Sequence, residues 1–259
     1  MNQKSVAIVT TIYKSELNSE EQTSIRQANH FFKPYDRFAL VPADSNFKIE
    51  SFTSIEFPAK YFVSAKANAD LLFSEELYKK FINYKQILLY EIDCLVFSDQ
   101  MEYWLEKNYD YIGAPWIKKF MVKRYDYPDA VGNGGFALRK TDAFLKALEA
   151  QKHPWKCIWR DIKKAFMEKK IKRLIPHLFD LWKNTRGRTK LIEDRWWSFK
   201  AKNYYPEFNV APVEEGIKFA WEIAPREMLK LNNGKLPFGA HAWARYDKEF
   251  WKPYLLPPQ

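Results

Sequence analysis

A chain of 259 residues is long enough to bury a full core as one large domain, with or without an insertion, and its two cysteines, Cys94 and Cys157, exclude a disulfide framework or a cysteine-rich zinc site. Ten Trp and fifteen Tyr supply amphipathic rings that suit a groove for sugars or nucleobases as readily as they fill a core. The net charge of +10 is local: residues 152–190 hold thirteen Lys or Arg against three acids, and the remainder is neutral, which excludes a basic fold.

Residues 5–10 read as a first buried strand, with Thr10, Thr11 and Tyr13 at its carboxyl end. The signal Asn18-Ser19-Glu20-Glu21 opens a helix over 18–32. A second strand over 38–41 is stopped by Pro42, and a helix follows over 66–83 with a break near Ser74. The run Ile87-Leu88-Leu89 reads as a central strand buried on both faces. Strand, helix, strand, helix, strand in the first hundred residues argues for a parallel sheet with helices on both sides. Next come a short amphipathic helix over 99–108, strand and turn over 109–116, loop over 117–131, a short strand after glycines 132–135, and a helix over 141–151. After the basic segment the neutral body resumes at 191–199, with a helix over 194–202 and a Pro-rich tail. The start Met1-Asn2-Gln3-Lys4 lacks a signal peptide's apolar region, and no run approaches the ~18 apolar residues of a membrane span, so a soluble, reducing compartment is expected.

Directly behind the central strand stands Tyr90-Glu91-Ile92-Asp93. A buried strand does not carry unpaired carboxylates into a core, so Glu91 and Asp93 belong at its carboxyl end, where open α/β sheets hold their ligands. Alternation would give both acids one face, a geometry suited to a divalent cation; the plain alternative is an acidic turn after a strand. Cys94 falls in the apolar phase and reads as a buried thiol. In Gly132-Asn133-Gly134-Gly135, the residue types imply positive φ or close passage of the backbone beside something, the plain alternative being a bulge between strands.

With Glu193-Asp194 at the start of an aromatic helix and Phe238-Gly239-Ala240-His241-Ala242-Trp243 near the end, this order of motifs resembles the GT-A glycosyltransferases. Their fold is a Rossmann-like, mostly parallel sheet flanked by helices that binds a nucleotide-sugar. Within them the chain is similar to the Fringe and β1,3-glycosyltransferase type, which carries a D-x-D, a Gly-Gly-aromatic strand, an E-D-V helix start and a late histidine. More narrowly, LLYEIDCLVFSDQMEYWLEKNYDYIGAPW and VGNGGFALR resemble an uncharacterised bacterial family of polysaccharide-building transferases, where Y-Q-x-D, YDYIGAPW and GNGGFSLR are expected. The resemblance covers residues 1–150 and 190–251 and leaves 152–190 outside.

The resemblance implies that Asp93 ligates Mn2+ (or Mg2+) held by the diphosphate of a UDP-sugar and that His241 completes the metal shell. Glu91 stands at the place of the first acid, with a water-mediated or ribose contact. Asp194 matches the base that takes the acceptor hydroxyl's proton, with Glu193 orienting it or touching the acceptor. The plain alternative is that both acids cap their helix. Thr10, Thr11 and Tyr13 fall where this fold holds uracil and ribose, Lys66 and Asn68 where side chains reach the nucleotide or its phosphates, and Gly134 and Gly135 where backbone passes the donor sugar; Lys66 equally reads as an ordinary solvated lysine. Asp110 and Trp116 would frame the pocket, while Trp221, Glu222 and Trp243 read as sugar platforms or core. Arg195-Trp196 replaces the small apolar residue and aromatic of the relatives.

In the basic segment, apolar residues at 155, 158, 159, 162, 165 and 166, then 171, 174, 175, 178 and 182, keep helical spacing, with Pro176 interrupting. Two readings stay open. One lays the helix on an anionic membrane surface with Trp155, Trp159, Phe166, Leu174 and Trp182 at the lipid boundary; the other packs its apolar face on the body. The expectation is a single α/β domain over 1–259, GT-A in type, with a basic amphipathic helical insertion at 152–190. It would act as a metal-dependent, inverting glycosyltransferase moving sugar from a UDP-sugar to a glycan or lipid-linked acceptor in bacterial surface polysaccharide or lipopolysaccharide synthesis. Its place would be cytoplasmic, peripheral on the inner face of the membrane. The rivals are a non-catalytic glycan- or membrane-binding domain on such a fold and a nucleic-acid-associated protein acting through 152–190, although no RNA- or DNA-binding motif accompanies that segment.

Overall fold

The computed structural model describes residues 3–121, 128–167 and 193–257. Its strands are β1 (Lys4–Thr11), β2 (Asp36–Pro42), β3 (Thr53–Phe57), β4 (Tyr84–Tyr90), β5 (Leu95–Val96), β6 (Tyr111–Trp116), β7 (Ala130–Lys140), β8 (Ala220–Trp221) and β9 (Gly239–Ala240). The helices that matter below are α1 (Ser19–Phe31), α2 (Ala65–Leu72), α3 (Glu75–Lys80), α4 (Met101–Glu106), α5 (Thr141–Lys152), α6 (Pro154–Met167), α7 (Glu193–Phe199) and α8 (Ala201–Tyr204).

Six strands form one mixed sheet in the order β3-β2-β1-β4-β7-β6, flanked by helices. The pairs β3·β2, β2·β1 and β1·β4 are parallel, and β4·β7 and β7·β6 antiparallel. Continuous apolar runs are explained by cover on both faces. In β1, Val6 and Ile8 enter one core while Ala7 and Val9 enter the other; in β4, Leu88 and Tyr90 oppose Ile87 and Leu89 in the same way. A second sheet, β5-β9-β8, is only two residues deep and rests on a third cluster that includes Trp221, Trp243 and Trp251.

Local chemistry sets the helix ends. Asn18 accepts from the Glu21 N–H while Glu21 accepts from the Asn18 N–H, a reciprocal cap that starts α1. The helix expected over 66–83 is two helices, because the Ser74 hydroxyl accepts from the Leu77 N–H and begins α3 afresh. The helix expected over 194–202 likewise divides, into α7 and α8 around Lys200. β3 went unread in the sequence because it is an exposed edge strand, with Phe57 its one buried residue.

The basic segment is helical through α6. Cys157 and Ile158 are buried, with Ile162 against the same core, and Arg160 donates to the Tyr204 and Asn203 carbonyls at 2.9 Å each. That face packs on the body; Trp155 and Trp159 do not. Leu174, Pro176 and Trp182 lie outside the described residues. No described helix is long and apolar enough to cross a membrane.

Because Asn18 serves both halves of its cap, Asn18→Ala should lower unfolding free energy by about 1 kcal/mol in urea titration, with an unchanged denaturant slope.

Candidate active site

β4 ends at Tyr90, and the chain turns at once: the Glu91 N–H donates to the Gly135 carbonyl and the Cys94 N–H to the Glu91 carbonyl, both at 2.9 Å. The two acids therefore converge through this turn and not by alternation along a strand. The small sheet brings their partner. Ala240 lies opposite Leu95 of β5 and Trp221 of β8, so one residue further His241 emerges between the acidic turn and Glu222. Its N–H donates to the Trp221 carbonyl at 2.8 Å. Its Nε2 is 3.3 Å from Glu91 Oε2 and 3.4 Å from Asp93 Oδ1, and its Nδ1 is 3.5 Å from Glu222 Oε1. Glu91, Asp93 and His241 offer ligand atoms that all lie within 4.8 Å of one another.

The glycine run is explained by crowding. A Cβ on Gly135 would come within 2.4 Å of His241 Nε2, and one on Gly134 within 2.9 Å of Arg139 Nη2. Neither glycine has positive φ, so close approach is the operative requirement. The bulge reading also holds in part, since the β6·β7 register shifts on either side of Ala114, opposite Asn133.

Electrostatics favour a cation here. Burial raises the Asp93 carboxyl above its ordinary value, with Glu91 adding to the rise and His241 opposing it. Burial also lifts Glu91, but the hydrogen bond and charge of His241 pull it below its usual value. Against burial, hydrogen bonds to Glu222 and Glu91 and the nearby acids hold the His241 imidazole well above its usual range. Asp93 Oδ1 is buried without a hydrogen-bond partner among the described residues. Two carboxylates and one imidazole fit a six-coordinate Mn2+ or Mg2+ that keeps positions open for other oxygens, better than a closed zinc site.

Glu91 and His241 of this cluster line a cavity of about 530 Å³, while Asp93 stands behind them and is not part of its lining. Thr11, Tyr13, Asn68, Glu91, Gly134, Gly135, Glu193, Asp194 and His241 all line it. Thr10 does not: it points into the core, almost wholly buried. Lys66 does not either. The face of α2 turned to the cavity is Ala65, Asn68, Ala69 and Leu72, a helical stripe that leaves Lys66 in solvent beside Asp70. Asp110 accepts from the Asn209 N–H and pairs with Lys140, tying down the start of β6 away from the cavity. Trp116 stacks on Phe199, and Trp221 and Trp243 are core residues; Trp243 donates to Ser24 Oγ. Glu222 backs His241. A wider groove of about 890 Å³ along α1, between Lys33, Lys48 and Leu256, contains none of the acidic cluster.

The opposite wall is set by an interaction that the sequence reading missed. Arg139 is fully buried; its Nη1 donates to Glu193 Oε1 at 2.5 Å and to Tyr78 Oη at 2.9 Å. Trp197 Nε1 also donates to Glu193 Oε1. Glu193 thus lines the cavity while its carboxylate is held by Arg139 and Trp197. The available signal was an arginine closing the apolar run Phe136-Ala137-Leu138. Asp194, next on α7, accepts from the Arg195 N–H at 2.7 Å and faces the cavity. Burial first, and the Glu193 charge second, push its carboxyl up to about 7. Asn133, within the glycine run, also lines the cavity, and Phe62, Val63 and Ser64 complete the lining from a stretch that the sequence did not single out.

The chain belongs to the family described as "Protein of unknown function (DUF5672)", which matches residues 51–241. No curated relative matches it. Among solved structures it is similar to a glycosyltransferase involved in the glycosylation of the major capsid of PBCV-1, over 92% of each chain at 11% identity and a TM-score of 0.43. It is also similar to the mannosyltransferase Ktr4p from S. cerevisiae, over 57% of this chain and 60% of that one at 12% identity and a TM-score of 0.38.

Two outcomes follow from this geometry. Gly135→Ala should displace the His241 ring from Glu91 and Asp93 and bring its raised pKa back toward the ordinary imidazole range in an NMR titration, while the fold persists. For Asp194, the folded carboxyl lies above its unfolded value of 3.8, so its contribution favours folding most below pH 4 and is lost as pH climbs through 7. Asp194→Asn should therefore stabilise the protein at pH 8 by about 2 kcal/mol, and by little at pH 4, in thermal melts.

Proposed function

We propose that this protein is a metal-dependent glycosyltransferase of GT-A type. It transfers a sugar from a UDP-sugar to a hydroxyl of a glycan or lipid-linked acceptor, with inversion, in building a bacterial surface polysaccharide or lipopolysaccharide. The observation that carries the reading is a single cavity lined on one side by Glu91 and His241, whose ligand atoms lie within 4.8 Å of one of Asp93, and on the other by Asp194, a carboxyl poised near pH 7.

Asp93 and His241 would hold the cation, which when bound supplies positive charge to a departing diphosphate. Thr11 and Tyr13, at the end of β1, serve the nucleoside. Asn68 Oδ1, buried without a partner, accepts from one of its N–H or O–H groups. Glu91 is left to a ribose hydroxyl or a water. The Gly134–Gly135 backbone borders the donor sugar, where a side chain would crowd both His241 and Arg139. As the anomeric carbon–oxygen bond breaks, its electron pair goes to the diphosphate and the sugar becomes oxocarbenium-like. The acceptor oxygen bonds to that carbon and its proton passes to Asp194. A base whose pKa lies near the working pH is ionised in useful amount yet still basic enough to take the proton. Glu193 and Arg139 stay out of the chemistry and hold α7 in place.

Calorimetry with UDP tests the binding half: wild-type protein should require Mn2+, and Asp93→Ala should abolish the Mn2+-dependent signal. An unchanged titration in that variant ends the metal reading. Asp194→Asn should bind UDP as wild type does but lose roughly 10²–10⁴-fold in UDP release from a panel of UDP-sugars. The wild-type rate should fall tenfold per pH unit below about 7. Full turnover by the Asn variant eliminates Asp194 as the base.

A further inference from the structure

We propose that the outer face of α6 is a docking surface for a membrane carrying anionic headgroups. The inference rests on surface chemistry and stands whether or not the protein is a transferase.

The inward side of α6 is already satisfied. Cys157 and Ile158 are buried, Ile162 packs on the same core, and Arg160 turns in to bind two carbonyls and pair with Asp161, the one acid of the helix. What remains outside is a stripe at i, i+4 and i+12: Trp155 at 56% exposure, Trp159 at 69% and Met167 at 70%. It runs about 18 Å along the helix. Lys156 and Lys163 are exposed on the same side and have no ion pair among the described residues. Lys152, just before the helix, is engaged with Glu75 and Glu149.

Lack of room inside does not explain this stripe. Trp104, Trp196, Trp197, Trp221, Trp243 and Trp251 are fully buried, so the fold readily takes tryptophan into its cores. Two exposed indoles one turn apart, beside a methionine and free lysines, form the amphipathic pattern of an interfacial helix: rings at the acyl boundary and cations among headgroups. Charge selects the partner. The segment 152–190, of which α6 is part, carries the protein's whole positive excess, whereas the rest is neutral. Nucleic acid would meet the same charge, but it is gripped by successive planar stacking platforms along a groove, and a methionine on a convex helix provides none. Because α6 is bonded to α8, which follows the helix bearing Asp194, a docked membrane would lie on the part of the body that carries that wall of the cavity.

Co-sedimentation of the full chain with vesicles tests this. Wild-type protein should pellet with phosphatidylcholine vesicles containing phosphatidylglycerol, stay in the supernatant with phosphatidylcholine alone, and release at high salt. Trp155→Ser combined with Trp159→Ser should weaken partition at least tenfold. Lys156→Gln and Lys163→Gln should each weaken it about fivefold. All four side chains are exposed, so melting temperatures should match wild type, and Asp194→Asn should pellet like wild type even if that residue proves catalytic. Equal binding to neutral vesicles, undiminished binding by the tryptophan pair variant, no binding by wild type, or tight single-stranded RNA binding in place of vesicles each overturns the proposal.

Discussion

The guanidinium of Arg139 and the carboxylate of Glu193 meet inside the protein, fifty-four residues apart in sequence and 2.5 Å apart in space. Taking two charges out of water is costly, and the pair persists because Tyr78, Trp197 and the Leu72 carbonyl supply further hydrogen-bonding partners. Removing either partner would strand a buried charge at a cost of about 3–5 kcal/mol. The pair joins β7 to α7. Through β7 it fixes the backbone at Gly134 and Gly135, against which the His241 ring lies; through α7 it fixes Asp194. Both walls of the cavity are thus referred to one contact.

The acidic cluster shows the opposite economy. Glu91, Asp93 and Glu222 surround one imidazole, and their hydrogen bonds and charge push His241 well above its usual range. Such an arrangement costs stability unless a cation answers it. The surrounding β5-β9-β8 sheet, backed by Trp221, Trp243 and Trp251, holds the acids together despite that cost.

Much of this was legible in the chain. The Asn18 cap and the Ser74 break are local hydrogen-bond chemistry, written in adjacent residues, and both appear where expected. Continuous apolar runs gave β1 and β4 because both faces are covered, whereas the one-sided β3 left no such trace. The acids were located correctly but for a reason that needed changing: a turn closed onto Gly135 unites Glu91 and Asp93. Side-chain direction was harder. Lys66 and Asn68 are two residues apart, yet only Asn68 faces the cavity, since a helix turns by roughly 100° per residue. The uses of Trp221 and Trp243 depend on what arrives from elsewhere in the chain, which no local pattern records. Arg139 was hidden for the same reason, as its partner lies beyond the whole basic segment.

His241 follows directly on the two-residue β9 strand, about a hundred residues after the large sheet has ended at Lys140. Its place beside the acidic turn therefore depends on β9 lying between β5 and β8, and not on the large sheet itself. The backbone of β9 in turn lies against the Phe136 ring at Gly239, so the position of the imidazole answers to the packing of the main core.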